Sequence, residues 1–412
     1  MAKKTVADID VKDKKVLMRC DFNVPLDDNQ NITSDARIVK ALPTIKYILD
    51  RGGALILMSH LGRPKGQPDK KFSLRPVARR LSELLGQEVV FAEDCVGPDT
   101  KAKAEALKDG DCMLLENLRF HKEETIKDKA AKEDAQLRQA KDDFAKELAD
   151  LADVYVDDAF GTAHRDNASM YTVPATMEGK PRVTGFLIEK ELKFLGETLK
   201  APERPFVAIL GGAKVSDKIG VIENLIHKVD TIVIGGAMAY TFFRAQGKQI
   251  GNSLCEADFL DKATELLEQA KEAGCEVVLP ADSVVAQEVK AGAAHKVVGD
   301  NIEAGWLGLD IGPESQKLFA EKLAGAKTVV WNGPMGVFEM EPFDAGTKAA
   351  ALAVAKATDN GAKSIIGGGD SASAVTKLGL EERISHISTG GGASLEFLEG
   401  KKFACLEILD DK

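Results

Sequence analysis

Short, unbroken runs of β-branched and aliphatic residues recur along the chain, separated by stretches with helical periodicity. In the first half the runs are Lys15–Cys20, Ala54–Met58, Cys112–Leu115 and Asp153–Val156. In the second half they are Phe206–Leu210, Thr231–Ile234, Glu276–Leu279, Thr328–Trp331 and Ser364–Ile366. Between them lie amphipathic segments such as Arg37–Leu49, Leu74–Leu85, Phe259–Ala273 and Ala345–Ala357. A half-exposed strand alternates apolar and polar residues, whereas an unbroken apolar run is buried on both faces. That pattern calls for parallel strands covered by helices, an α/β fold.

At 412 residues the chain exceeds what one hydrophobic core usually serves, so two domains are expected. The pattern changes around 173–200, where Pro174, Gly179, Pro181 and Gly185 interrupt it before a helical Ile188–Leu199. This is the expected boundary, with the helix as connector. The stretch His121–Asp150 is dense in Lys, Glu, Asp and Ala; it predicts a solvated helix with i,i+4 charge pairs and no chemistry. No internal repeat is visible.

A net charge of -10 argues against a nucleic-acid binder or a protein held on an anionic membrane. The apolar runs are strand-sized, short of the roughly 20 residues of a membrane-spanning helix. Met1-Ala2-Lys3-Lys4 leads into polar residues, so no secretory signal is expected. The cysteines at 20, 95, 112, 255, 275 and 405 form no Cys-x-x-Cys pair, which predicts reduced, mostly buried thiols and a cytoplasmic protein.

Open α/β sheets bind ligands beyond the carboxyl ends of their strands, so the loops there carry the information. In the first half they read Asp21-Phe22-Asn23-Val24-Pro25, His60-Leu61-Gly62-Arg63-Pro64, Glu116-Asn117-Leu118-Arg119-Phe120-His121 and Asp158–Arg165. In the second half they read Gly211-Gly212-Ala213-Lys214, Gly235-Gly236-Ala237-Met238, Asn332-Gly333-Pro334 and Gly367-Gly368-Gly369-Asp370-Ser371. One half offers Arg and His side chains, the other backbone and Lys, so two different ligands are implied.

A single arginine at a strand end is more often a surface ion pair than a ligand contact. Arg37, Arg63, Arg119 and Arg165, with His60 and His164 beside them, would converge on one crevice of a parallel sheet. Guanidinium groups bind phosphate and carboxylate bidentately, which suits a small polyanion. Asp21 and Asn23 could orient a substrate hydroxyl or hold an arginine; a plain polar turn is the alternative.

Gly211–Lys218 follows a strand and opens a helix, but it is neither Gly-x-x-x-x-Gly-Lys-Ser/Thr nor Gly-x-Gly-x-x-Gly. Small residues still admit a ligand close to the backbone, and helix N-termini attract phosphate. Lys214 and Lys218 strengthen that reading. Asp370 could hold Mg²⁺ against nucleotide phosphates or simply cap a helix. Gly390–Ser394 suits anion binding or a hinge. There is no Gly-x-Ser-x-Gly, no His-Glu-x-x-His and no clustered Cys/His set. That fits phosphoryl transfer, which works by positioning and charge stabilisation; an ionised carboxylate acceptor needs no base.

Across essentially its whole length the chain resembles the phosphoglycerate kinases. The resemblance rests on Asp21–Pro25, Ser59–Pro64, Glu116–Phe120, Asp158–Arg165, Leu210–Lys218, Trp331–Glu339, Gly367–Ser371 and Ser388–Ser394, in that order. It implies two doubly wound, Rossmann-like parallel-sheet domains joined by a helix and hinge. The first would comprise 1–173 and 391–412 and the second 186–390, with 174–200 as boundary and connector. It implies reversible transfer between ATP and the carboxylate of 3-phosphoglycerate, giving ADP and 1,3-bisphosphoglycerate, with Mg²⁺ as cofactor and a monomeric enzyme.

Asp21, Asn23, Arg37, His60, Arg63, Arg119 and Arg165 would bind the acid. Gly212, Lys214, Lys218, Gly235, Gly236, Asn332, Pro334, Glu339, Gly367, Gly368, Gly369, Asp370 and Ser371 would bind the nucleotide, with Asp370 serving the metal. Arg37, Lys214, Gly368 and Gly391 would be the catalytic set, and Glu191 and His386 the hinge pair. One departure stands out: relatives often carry a further histidine shortly after the arginine matching Arg165, where this chain has Asp166-Asn167.

Overall fold

Val16, Leu17, Met18 and Cys20 are fully buried, as an unbroken apolar run requires when helices cover both faces of a sheet. Their strand, β1 (Lys15–Cys20), is joined by β2 (Ala54–Met58), β3 (Val89–Phe91), β4 (Cys112–Leu114), β5 (Val154–Asp158) and β6 (Arg182–Thr184). The six form one parallel sheet in the order β3-β4-β2-β1-β5-β6. The computed structural model describes residues 2–299 and 301–412.

The later strands are β7 (Phe206–Leu210), β8 (Thr231–Ile234), β9 (Glu276–Val278), β10 (Ser283–Ala286), β11 (His295–Val298), β12 (Leu307–Ile311), β13 (Thr328–Asn332), β14 (Lys363–Gly367) and β15 (His386–Ile387). A second parallel sheet of six runs β15-β14-β13-β7-β8-β9. That is the strand order of the doubly wound dinucleotide-binding sheet, with the reversal between β7 and β13. Its core includes Trp331, Val329, Ile366, Phe319 and Val354, all nearly or fully buried.

The amphipathic helices form where the pattern predicts. In Arg75–Leu85, Pro76 sits in the first turn, Val77, Ala78 and Leu81 are buried, and Gly86 stops the helix at φ 70°. Only a residue free of a Cβ takes that left-handed conformation without strain.

Residue contacts divide the chain into Met1–Leu192 with Lys402–Lys412, and Lys193–Lys401. The return to the first unit thus comes at Lys402 rather than Gly391. It is anchored beside β6, where Asp410 donates its N–H to Arg182 O at 2.8 Å. The connector is helical from Phe186 to Lys200 and widens to i→i+5 hydrogen bonding over Leu192–Glu197.

One element went unanticipated and one expectation needs correction. The second half also contains an antiparallel sheet, β11-β10-β12. β11 alternates exposed and half-buried residues, so no apolar run announced it. The stretch 121–150 is not one solvated helix either. Asp134 ends the helix Asp128–Glu133 and caps Ala135–Ala149 through the N–H groups of Gln136 and Leu137. Phe144, Ala145 and Leu148 bury one face, Lys141 is fully buried, and so is Glu124 just upstream.

Candidate active site

The four strands β4, β2, β1 and β5 are neighbours, and each ends in one of the predicted loops. Asp21 follows β1 and holds Arg37, with Oδ1 and Nη1 2.6 Å apart. Asn23 accepts the N–H of Gly62 at 2.9 Å, tying the loop after β1 to the loop after β2. Arg119, in the turn Leu118–Phe120 after β4, donates to Gly62 O at 2.7 Å. Arg165, beyond β5, has its Nε 3.2 Å from His164 Nε2. Arg63 is exposed.

Electrostatics ties these side chains into one cluster. His60 is buried, and its pKa lies well below 6.5 because of burial first, then Arg19, Arg119, Arg165 and Arg37. Burial and the neighbours Arg19, Arg165 and Arg63 lower Arg119 to about 10, while Glu124 opposes them. The Nε of Arg119 is buried without a hydrogen-bond partner. Like charges held this close repel, and a polyanion seated among them would relieve that repulsion.

Sequence reasoning missed what lies beneath. Arg19 is fully buried in β1, its Nε donating to Ser169 Oγ at 2.9 Å and Nη2 lying 3.3 Å from His60 Nδ1. It also donates to Cys20 O. Buried Glu124 lies 3.9 Å from Arg19 and accepts from Ser169 Oγ at 2.7 Å. A charged residue inside an apolar strand was the available signal, since a buried cation must be paired. Its partner was hidden in a charge-rich stretch.

Asp166, the departure noted above, turns to other partners. It accepts the N–H of Asp128 at 2.8 Å and lies 3.1 Å from Lys127. Burial raises its pKa, but those two contacts outweigh it and leave the carboxyl below its ordinary value.

In the second unit the loops after β14, β13, β7 and β8 again follow neighbouring strands. Gly212 donates to Pro334 O at 3.0 Å, Gly236 to Met335 O at 3.0 Å, and Gly211 to Asn332 O at 2.9 Å. Gly236 has φ 67°, and a Cβ there would lie 2.5 Å from Gly212 O. The loops therefore pack backbone on backbone, and Gly235 is equally closed by the Met335 side chain, 2.4 Å from a would-be Cβ.

These loops border a cleft of about 550 Å³ lined by Gly212, Lys214, Lys218, Pro334, Gly368 and Asp370, among others. Lys218 is buried and donates to Asn332 Oδ1. Burial brings it down to about 8, against the pull of Asp217, Asp370 and Glu399. Lys214 is exposed, as are Gly369 and Asp370 in the first turn of the helix Gly369–Lys377. Ser371 is fully buried and accepts the N–H of Gly333 at 2.7 Å, so its hydroxyl supports the loop after β13. Glu339 is exposed, Gly367 ends β14, and Gly391 precedes the helix Gly392–Leu398. Glu191 is buried in the first unit. His386 stacks on Phe194 in the second, with ring centroids 4.8 Å apart.

A larger hollow of about 1160 Å³ lies on the first unit, and two of its arginines already have carboxylate partners. Its Arg75 pairs with Glu93, and its Arg80 with Asp35 and Glu83. Among the described residues, Asp94, Cys95 and His121 gather their ligand atoms within 4.8 Å. His121 Nε2 is bonded to Asp94 at 2.6 Å and burial pushes the Cys95 thiol well up, which suits an ion pair over a thiol. All six cysteines are free. No described helix is long and apolar enough to cross a membrane.

The family model for phosphoglycerate kinase matches residues 6–401. A phosphoglycerate kinase of Chlorobium limicola is 55% identical over 412 residues, covering 100% of both chains. One of Thermosipho africanus is 54% identical over 414 residues, covering 100% of this chain and 99% of that protein. The solved phosphoglycerate kinase of Coxiella burnetii superposes with a TM-score of 0.86 at 41% identity, covering 98% of each chain. That of Pyrococcus horikoshii gives 0.79 at 33%, with the same coverage. With matching sheets and matching loops over its full length, the chain belongs to the phosphoglycerate kinase family, kinases that transfer phosphate between ATP and 3-phosphoglycerate.

Proposed function

We propose that the two substrates are divided between the units by the chemistry of their strand ends. The observation that carries this reading is the cluster of Arg37, Arg119 and Arg165 acting on buried His60, with Arg63 and Arg165 acting on Arg119. Together with Asp21 and Asn23 they bind 3-phosphoglycerate or 1,3-bisphosphoglycerate, whose phosphate and carboxylate match guanidinium geometry. Arg37, held by Asp21, faces the reacting carboxylate.

ATP or ADP takes the glycine-lined cleft of the second unit. Gly212, Gly235, Gly236 and Pro334 shape the base slot, Glu339 holds the ribose, and Lys218 with Asn332 meets the phosphates. The amides of Gly367, Gly368, Gly369 and Ser371 at a helix start add a partial positive charge. Lys214 follows the phosphoryl group in transit, and Gly368 and Gly391 offer backbone N–H groups to it.

Asp370 fits a Mg²⁺ role, because one exposed carboxylate completed by phosphate oxygens is a common donor set for that ion. Bound with the nucleotide, Mg²⁺ would offset phosphate charge. Since the ligands are assigned to different units, turnover requires domain closure, with Glu191 and His386 as the hinge residues. We place the enzyme in the cytoplasm as a monomer acting on free small molecules, with no nucleic-acid or membrane partner.

A coupled assay tests the reaction: ATP consumption should require both 3-phosphoglycerate and Mg²⁺. ATP turnover independent of 3-phosphoglycerate would overturn the assignment.

A further inference from the structure

We infer that Arg19 is a positioning residue that fixes His60 in a single neutral tautomer, with its proton on Nε2. This rests on the reading of His60 as a 3-phosphoglycerate contact. A guanidinium has only donors. The 3.3 Å approach of Arg19 Nη2 to His60 Nδ1 is therefore a hydrogen bond only when Nδ1 presents its lone pair. The ring proton then belongs to Nε2, which becomes a fixed donor. Protonating Nδ1 would set two N–H groups against each other and bring a second cation against the first.

Arg19 is not free to turn away. Its Nε donates to Ser169 Oγ at 2.9 Å and Nη1 donates to Cys20 O. Ser169 Oγ in turn donates a hydrogen bond to Glu124 Oε1 at 2.7 Å, and Ser169 N donates to Glu124 Oε2 at 2.9 Å. Asn167 Nδ2 completes the carboxylate's bonds at 3.1 Å. Arg19, Glu124 and Ser169 are all fully buried, so the frame is rigid and its charges compensate within it. The other charged groups acting on His60 are Arg119, Arg165 and Arg37, all cations that oppose an imidazolium.

The consequence is functional. An anion drawn into a cluster of arginines would ordinarily raise a neighbouring histidine's pKa and make its charge depend on pH. Held by Arg19, His60 offers the same Nε2–H donor throughout the range where a free histidine titrates, about pH 6.5. Binding strength then varies little with pH from this side chain.

The test is ¹⁵N–¹H correlation of the His60 ring in the full-length protein across that range, with and without 3-phosphoglycerate. The wild type should show Nδ1 unprotonated and Nε2 protonated at every pH. Arg19→Lys, still a pure donor, should keep that pattern. Arg19→Met/Glu124→Gln, which removes both buried charges together, should show an Nδ1–H form or an imidazolium. Its KM for 3-phosphoglycerate should rise about ten-fold, the worth of one hydrogen bond, and become pH-dependent, while the KM for ADP holds. An Nδ1–H or imidazolium signal in the wild type would overturn the inference, even if neither variant folds. Wild-type signals of the Nε2–H form that ignore 3-phosphoglycerate would support the tautomer and overturn the ligand assignment instead.

Discussion

Asp21 Oδ1 sits 2.6 Å from Arg37 Nη1, and the arginine side chain is 40% exposed against 15% for the aspartate. The carboxylate is thus the anchored partner and aims a guanidinium that remains open to solvent. Asp21→Ala should let Arg37 wander without unfolding the loop. We expect kcat/KM for 3-phosphoglycerate to fall by about ten- to a hundred-fold, with ADP affinity unchanged, in steady-state kinetics.

Lys214 is exposed, unlike Lys218, and a contact made chiefly in the transition state suits such a side chain. Lys214→Ala should lower kcat by about 10²–10³ while leaving the nucleotide KM within a few-fold, which pre-steady-state and steady-state rates would reveal.

Burial puts Lys218 at about 8, so it is a cation below that pH and loses its charge above it. Nucleotide phosphates favour the cation, and ADP affinity should therefore fall as pH rises through about 8, by roughly ten-fold toward pH 10. Lys218→Arg should flatten that profile, because arginine stays charged. Calorimetric titration at several pH values measures both.

Buried Asp158 accepts the N–H groups of Leu187 and Ile188, at 2.9 and 3.1 Å, at the start of the connector helix. Burial raises its pKa from 3.8 to about 7, partly offset by those bonds and Thr44. Between those values the folded state binds the extra proton, so this group makes stability fall as pH rises from about 4 to 7. Asp158→Asn keeps an acceptor and removes the titration. Urea unfolding should show the slope over that window reduced by up to about 1.4 kcal/mol per pH unit.

Gly236 takes φ 67°, and a Cβ would meet Gly212 O and N and Pro334 O within 2.9 Å. Gly236→Ala should cost about 2–4 kcal/mol of stability and weaken nucleotide binding. At Gly369 a Cβ would meet nothing within 4 Å, and Gly369→Ala should shift stability by less than about 0.5 kcal/mol. Chemical denaturation of both variants distinguishes a steric requirement from a general intolerance of the loops.

Much of this was legible in the chain because apolar runs such as Ala54–Met58 and Thr231–Ile234 are long enough to declare burial on both faces. The loops after them inherit their position from the strands, so Arg119 and Arg165 could be expected in one crevice before any geometry was known. What escaped has physical causes. β3, β6 and β15, of three, three and two residues, also went unanticipated. β11 is half exposed and reads as a loop. Arg19 stands out inside an apolar run, but Glu124 looks ordinary alone; only the fold brings residues so far apart in sequence to 3.9 Å. Ser371 shows the converse, a residue expected at the ligand whose hydroxyl is instead spent on Gly333.

The division of ligands between the units is tested most directly by crossed calorimetric titrations of Arg119→Met and Lys218→Met with 3-phosphoglycerate and MgADP. Arg119→Met should lose 3-phosphoglycerate affinity by at least about ten-fold and keep that for MgADP, and Lys218→Met should do the reverse. Loss of MgADP binding in Arg119→Met with 3-phosphoglycerate binding intact would contradict the account.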